Sequence, residues 1–346
     1  MKKIAVGLSG GVDSSVVLLL LKEQGFDVTG VHMQCWDYNE EGCSGEQDKA
    51  DAVSICAQLG IPFKFLDFQK EYQDKVIQNF YDEYSAGRTP NPDVLCNKEI
   101  KFGMFLEWAL KNGFDSIATG HYAKVGVTDV PRLFIPKDRS KDQTYFLYRI
   151  NSNQLSNIMF PLGDLLKDEV KEIAFQNNLK NYNKPESMGI CFIGKVNIRD
   201  FLKRRIDEKP GNVLNFKGEV VGKHRGVPFY TIGQRHGFEI FKYIGTPLYV
   251  ISKSAETNEL VVGTEEEAKR NSFEVSEITF VAEELAGKLE LHVRIRHLGE
   301  LHKAKVTFEK DIAKVLLKDL VFGIAPGQSC VFYSDNDQVL GGGIIN

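Results

Sequence analysis

Apolar runs and amphipathic stretches alternate over the first 120 residues, and this alternation restricts the fold more than any other feature. KIAVGL (Lys3–Leu8), DVTGVHM (Asp27–Met33), PFKFLDF (Pro62–Phe68) and DSIATG (Asp115–Gly120) read as strands. Asp13–Gln24, Glu46–Leu59, Glu71–Tyr84 and Ile100–Lys111 read as helices, and a further helix is expected over Leu162–Asn178. Strands alternating with helices predict a parallel sheet covered on both faces. Such sheets bind ligands at the carboxyl ends of their strands. The loops after Leu8, Met33 and Thr119 are therefore expected to share one crevice.

From Lys209 the pattern changes to short β-rich runs separated by Gly, Pro and Asn. The last of these, LELHVRIRH, HKAKVTF, AKVLL and SCVFY, suggest a small barrel or sandwich. A chain of 346 residues exceeds one ordinary core. We expect an α/β catalytic domain over 1–196, a small mixed domain over 197–271 and a C-terminal β-barrel over 272–346.

The net charge is −4, yet charge is unevenly spread. Residues 37–83 hold 11 acids against 4 bases, whereas 195–235 hold 10 bases against 4 acids. On composition alone both are ordinary solvated faces, although a local basic cluster suffices for phosphate contact. The longest apolar block, Val16–Leu21, is far short of a membrane span. The cysteines Cys35, Cys43, Cys56, Cys96, Cys191 and Cys330 form no C-x-x-C pair. Neither a zinc ribbon nor a disulfide scaffold is expected, and a reducing cytoplasm fits best. No metal-ligating cluster and no third thiol beside Cys96 and Cys191 is read from the spacing.

LSGGVDSS (Leu8–Ser15) joins the first strand to the first helix. Two glycines let the backbone turn and approach an anion, three serines offer hydroxyls, and the helix N-terminus adds free N–H groups. No lysine follows the glycines, so this is not a Walker A loop, nor is it G-x-G-x-x-G. For glycine and serine alone, a plain strand-to-helix turn explains the segment as well.

Two cysteines stand out. In TPNPDVLCNKEIKF (Thr89–Phe102) two prolines hold the chain extended before a helix. With a helix starting near Asn97, Cys96 sits where the dipole favours thiolate, and Lys98 and Lys101 add positive potential. Asp93 is a candidate acid/base. In ESMGICFIG (Glu186–Gly194) Cys191 lies between glycines. Taken singly, each cysteine reads as a small buried hydrophobe.

Read together the segments say more. SGGVDS resembles the signature of the PP-loop ATP pyrophosphatases. GLSGGVDSS, AGRTPNPDVLCNKEIKFG, ATGHYA, KDQTYFLY, FPLG, GICFIG, YTIGQRHG and APGQ occur in order and closely resemble the bacterial tRNA-specific 2-thiouridylases. The resemblance implies an enzyme that replaces O2 of the wobble uridine in tRNAs for Lys, Glu and Gln with sulfur. ATP would adenylate that oxygen. Gly7, Leu8, Ser9, Gly10, Gly11, Val12, Asp13 and Ser14 would cradle the phosphates, with Met33 and Gly120 also at the nucleotide and Mg2+ on Asp13. Cys191 would receive a persulfide sulfur from an upstream donor, Cys96 would be its partner thiol, and Asp93 the acid/base. Asn91, Pro92 and Asp93 would embrace the base. His121, Lys141, Asp142, Gln143, Arg296, His297 and Gln328 would touch tRNA. A monomer is expected.

Two departures from the family pattern are Glu186, where Asp is expected, and His297, where an aromatic Tyr is expected. Rival readings are another adenylating PP-loop ligase, which needs no cysteine pair, and a sulfur carrier without ATP chemistry, against which the intact phosphate loop argues.

Overall fold

A computed structural model of the chain describes residues 1–37, 45–127, 129–186, 191, 193–194, 196–241 and 245–346. The expected exposure of Cys43 lies outside them. Five parallel strands form the first sheet, in the order Phe63–Asp67, Asp27–Gln34, Lys3–Gly7, Ser116–Ala118, Ile158–Met159. The central strand shows why the sheet must be covered twice. Ile4 and Val6 enter a core with Val16, Val17 and Ile55, whereas Ala5 enters a second core with Phe105 and Ile117. Side chains alternate across a strand, so a strand apolar at every position buries both faces.

The helix Val12–Glu23 begins at Gly11 with no side-chain cap, leaving its first N–H groups for the loop in front of it. On the opposite face two helical segments are widened. Gln73–Ile77 and Cys96–Met104 are π-helical, within stretches running from Gln69 to Ser85 and from Pro92 to Lys111. The second stretch starts at Pro92 rather than near Asn97, because proline is well suited to a first helical turn. The helix expected over Leu162–Asn178 is confined to Lys167–Gln176.

The middle region is a five-stranded sheet, ordered Glu239–Ile240, Val220–His224, Gly211–Leu214, Glu259–Gly263, Tyr249–Ser254. The short helix Ile198–Lys203 ties it to the first region: Phe201 stacks on Tyr81 with ring centroids 5.5 Å apart. The C-terminal strands Arg270–Phe280, Ile312–Val321, His302–Glu309, Gly287–Arg294, Ser329–Tyr333 and Gln338–Ile345 close into a barrel, the last pairing back on the first at Val275↔Ile345. A hairpin from the N-terminal half, Lys124–Val127 with Pro131–Phe134, extends this sheet through Leu133↔Val339. The barrel is thus locked to the catalytic region, and a buried ion pair, Arg294 Nη1 to Asp142 Oδ2 at 2.5 Å, crosses the same boundary. Among the described residues no helix is long and apolar enough to cross a membrane.

Candidate active site

The phosphate loop sits at the carboxyl end of the central strand, as the alternation predicts. Gly10 has φ +73°, and a Cβ there would lie 2.4 Å from the Asp48 carbonyl oxygen. Only glycine meets both conditions. Ser14 and Ser15 donate to the Gly11 carbonyl at 3.1 and 3.0 Å, and Ser14 Oγ accepts from the Ser9 N–H at 3.3 Å. Asn181 donates to the Gly10 carbonyl at 2.9 Å and His32 Nδ1 lies 2.9 Å from the Leu8 carbonyl. Donors from three distant segments therefore hold the loop's shape. The expected crevice forms: a Cβ on Gly7 would meet Met33 Cε at 3.3 Å and Thr119 Cγ2 at 3.7 Å, and one on Gly120 would meet the Ser14 nitrogen at 2.9 Å.

Asp13 projects from the first turn of the helix and is fully engaged. Lys167 Nζ lies 2.7 and 2.8 Å from its two oxygens, and Tyr122 Oη donates to it at 3.0 Å. Lys167 also pairs with Glu186 at 3.3 Å, and Lys141 pairs with Glu186 at 2.8 Å. Glu186 precedes the Cys191 segment, so a chain of charges links the phosphate loop to it.

The second half of the site is a thiol pocket. Cys96 Sγ and Cys191 Sγ lie 3.5 Å apart, although 95 residues separate them. Asp93 Oδ1 accepts from the Cys191 N–H at 3.1 Å, and Tyr72 donates its hydroxyl to the Cys191 carbonyl at 2.6 Å. Cys96 is fully buried. The expected dipole effect does not act on it, because the helix begins one turn earlier. Burial, and then the Cys191 sulfur beside it, push its thiol well above the ordinary range. Cys191 goes the other way: the hydrogen bond from Cys96 holds it down against burial, and Lys101 assists. Burial raises Asp93, against the pull of the Cys191 N–H and Lys101, which moves this carboxyl toward the pH where it can exchange protons. A third thiol, unforeseen from the spacing, packs into the same core: Cys35, buried at the end of the second strand and raised by burial and by the charge on Cys191.

A phosphate loop and a thiol pair meeting at one sheet edge match what known proteins show. A tRNA methyl transferase HUP domain model matches residues 2–195, a tRNA methyl transferase PRC-barrel domain model residues 199–264, and an aminomethyltransferase beta-barrel domain model residues 270–345. The tRNA-specific 2-thiouridylase MnmA of Bacillus subtilis (strain 168) is 44% identical over 356 residues, spanning 99% of this chain and 95% of its own. That of Listeria monocytogenes serotype 4b (strain F2365) is 45% identical over 352 residues, spanning 99% and 94%. This chain belongs to the tRNA-specific 2-thiouridylase family. Among solved structures, a 4-thiouridine synthetase–RNA complex with bound ATP aligns with 59% of this chain and 50% of its own at 17% identity and a TM-score of 0.39.

Against the contacts expected from the family, the RNA-facing residues divide into two groups. Arg296 is exposed, and Asn91, Pro92, Lys141, Gln143 and His297 are half-buried. Others are spent internally. Asp142 is fully buried and its carboxylate is taken by Arg294, Thr144 Oγ1 and the Thr144 N–H, so its side chain does not face RNA. This corrects the expectation of a direct contact. Gln328 donates from the barrel to the Thr89 and Pro90 carbonyls at 2.8 and 3.2 Å, fixing the loop that carries Asp93. His121 is buried between Phe102 and Phe160 and bonded to Thr119 Oγ1 at 2.8 Å; burial, then Lys101, hold it neutral. His297 lies over Phe146, centroids 4.3 Å apart. Within Lys203–Arg205, Lys203 pairs with Glu208 at 3.0 Å and Arg205 covers the Tyr81 ring at 4.8 Å.

Sequence reading missed Lys167, Tyr122, Asn181 and Tyr72 as parts of the site. FPLG lay just ahead of Lys167, but nothing in its spacing pointed that lysine at Asp13.

Proposed function

We infer that this chain is an enzyme that thiolates uridine in tRNA at C2, acting on the wobble position of tRNAs for Lys, Glu and Gln. The observation that carries this reading is the 3.5 Å apposition of Cys96 and Cys191 beside Asp93, at the same sheet edge as the phosphate loop. Uridine O2 attacks the α-phosphorus of ATP and pyrophosphate leaves, converting a poor leaving group into AMP. The loop amides and the helix N-terminus suit the departing charge. A Mg2+ ion would find one carboxylate here, Asp13, and would neutralise phosphate charge beside Lys167.

Cys191 carries sulfur as a persulfide supplied by an upstream donor. Cys96 attacks the Cys191 sulfur, the bond to the outer sulfur breaks and sulfide leaves with the electron pair. Sulfide adds at C2 and AMP departs; direct attack by the persulfide gives the same product. Either route leaves a Cys96–Cys191 disulfide, which a dithiol reductant reopens. Asp93, with its raised affinity for the proton, serves the pyrimidine as acid and base. The base must leave the anticodon stack to reach the pocket. Exposed Arg296 and the basic segment around Lys203–Arg205 suit the RNA backbone. The free thiols suit a reducing cytoplasm.

The test combines the chain with tRNA, Mg-ATP and a persulfide source, followed by nucleoside mass spectrometry. 2-Thiouridine and AMP are expected from the wild type. Cys96→Ser and Cys191→Ser are each expected to bind tRNA and make no 2-thiouridine. Wild-type turnover in either variant would sink the two-thiol mechanism.

A further inference from the structure

Lys101 stands at the centre of the thiol pocket, and the thiolation scheme above gives it no task. It lies five residues after Cys96, inside the π-helical stretch Cys96–Met104. At about 3.6 residues per turn, five residues of α-helix carry a side chain round to another face; with i→i+5 hydrogen bonds, residues five apart stand about one turn above each other. The widened helix therefore brings the Lys101 ammonium to the side of the Cys96 sulfur. The ammonium hydrogen-bonds the Cys191 thiol, and it lies 3.4 Å from His121 Nε2. An ammonium has only donors, so His121 presents its Nε2 lone pair and places its proton on Nδ1 toward Thr119. His121 is thus a neutral wall that directs the cation inward.

The groups facing Cys191 are Cys96, Asp93 and Lys101 from the Pro92–Lys111 stretch, Tyr72 from the helix before it, and Cys35 from the end of the second strand. Lys101 is the only cation named in this set. Two neighbouring sulfurs cannot both be anionic cheaply in a buried pocket. We propose that Lys101 is a further catalytic residue that assigns the roles of the two sulfurs: it holds Cys191 as the thiolate that accepts sulfur, and leaves Cys96 a thiol until Cys191 is loaded.

The loading step balances. The Cys191 thiolate attacks the outer sulfur of a donor persulfide, R–S–SH. A Cys191–S–SH bond forms, the donor S–S bond breaks, and R–S⁻ leaves with the electron pair. Cys191 is oxidised to persulfide and the donor reduced to thiol. The negative charge has then left the Cys191 sulfur, and the repulsion that kept Cys96 protonated falls. Lys101 is free to favour the Cys96 thiolate, which attacks in turn. One cation serves two nucleophiles in sequence, and the order is set by which sulfur is capped.

The proposal rests on the thiolation reading for its steps, but its test does not need them. The full chain, without ATP, tRNA or donor, is alkylated with iodoacetamide from neutral to alkaline pH, and the Cys191 and Cys96 peptides are quantified by mass spectrometry. Lys101→Met is expected to slow Cys191 alkylation at neutral pH about tenfold, as a one-unit rise in midpoint requires. Lys101→Gln, which packs differently, should do the same, and Lys101→Arg should restore the lower midpoint. An unchanged Cys191 midpoint in whichever neutral variant folds would overturn the assignment. So would failure of Lys101→Arg to differ from the neutral variants. A wild type that shows the predicted alkylation pattern but makes no 2-thiouridine would overturn the thiolation reading and leave Lys101's control of Cys191 standing.

Discussion

The Lys167 ammonium bridges both carboxylate oxygens of Asp13, at 2.7 and 2.8 Å, across 154 residues of sequence. Lys167 is nearly buried and Asp13 is about one-third exposed. Removing the lysine leaves an acid against the phosphate loop with only Tyr122 as partner. Lys167→Met is expected to cost about 1–3 kcal/mol, below the range for a fully buried pair because Asp13 keeps some solvent. Urea denaturation measures this. AMP formation is expected to fall more than tRNA binding does, and equal losses in the two would place Lys167 outside nucleotide handling.

Arg294 and Asp142 tie the barrel to the catalytic region through a pair almost without solvent. Arg294→Met strands a buried carboxylate and is expected to destabilise by about 3 kcal/mol or more. Asp142→Asn keeps hydrogen bonds to Thr144 and is expected to cost less. A tRNA affinity that drops while melting temperature stays unchanged in Asp142→Asn would restore the direct RNA contact.

The apposed thiols predict a specific cross-link. Mild oxidation of the wild type is expected to yield a peptide joining Cys96 to Cys191, read by non-reducing mass spectrometry. The buried thiols Cys56 and Cys330 are expected to remain unpaired. A dominant Cys35–Cys191 peptide instead would assign the partner role to Cys35.

Lys253 gives a pH dependence outside the site. Burial lowers it to about 8, and its ammonium donates to the Tyr230 carbonyl. The unfolded chain holds its proton to a higher pH than the folded one, so between about 8 and the ordinary lysine value of 10.5 the unfolded state binds more protons. Stability from this group therefore rises with pH across that window, and the burial penalty is fully present below it. Lys253→Met removes the penalty and also the hydrogen bond to Tyr230. The wild type minus variant difference is expected to shift in favour of the wild type by about 1–3 kcal/mol from neutral to strongly alkaline pH. A difference independent of pH in urea titrations would refute the lowered value.

Binding of tRNA is expected to weaken steeply with salt, since phosphate contacts release counterions. Arg296→Ala should reduce the slope of log affinity against log salt by about one contact. An unchanged slope would remove Arg296 from the RNA face.

The parallel sheet was legible because its strands are apolar at successive positions and alternate with amphipathic helices, a local pattern that tertiary context does not alter. The phosphate loop was legible for a similar reason: Gly10 is demanded by a backbone angle and a close approach within one short segment. Individual cysteines were not legible, since a thiol packs as well as it reacts. The dipole assigned to Cys96 failed because Pro92 opens the helix one turn earlier, and burial then sets the thiol's chemistry. Only the folded chain brings Cys35 beside the pair, aims Lys101 across a widened turn and seats Lys167 on Asp13. Those are contacts between side chains far apart in sequence, and no local periodicity encodes which charge a buried group will meet.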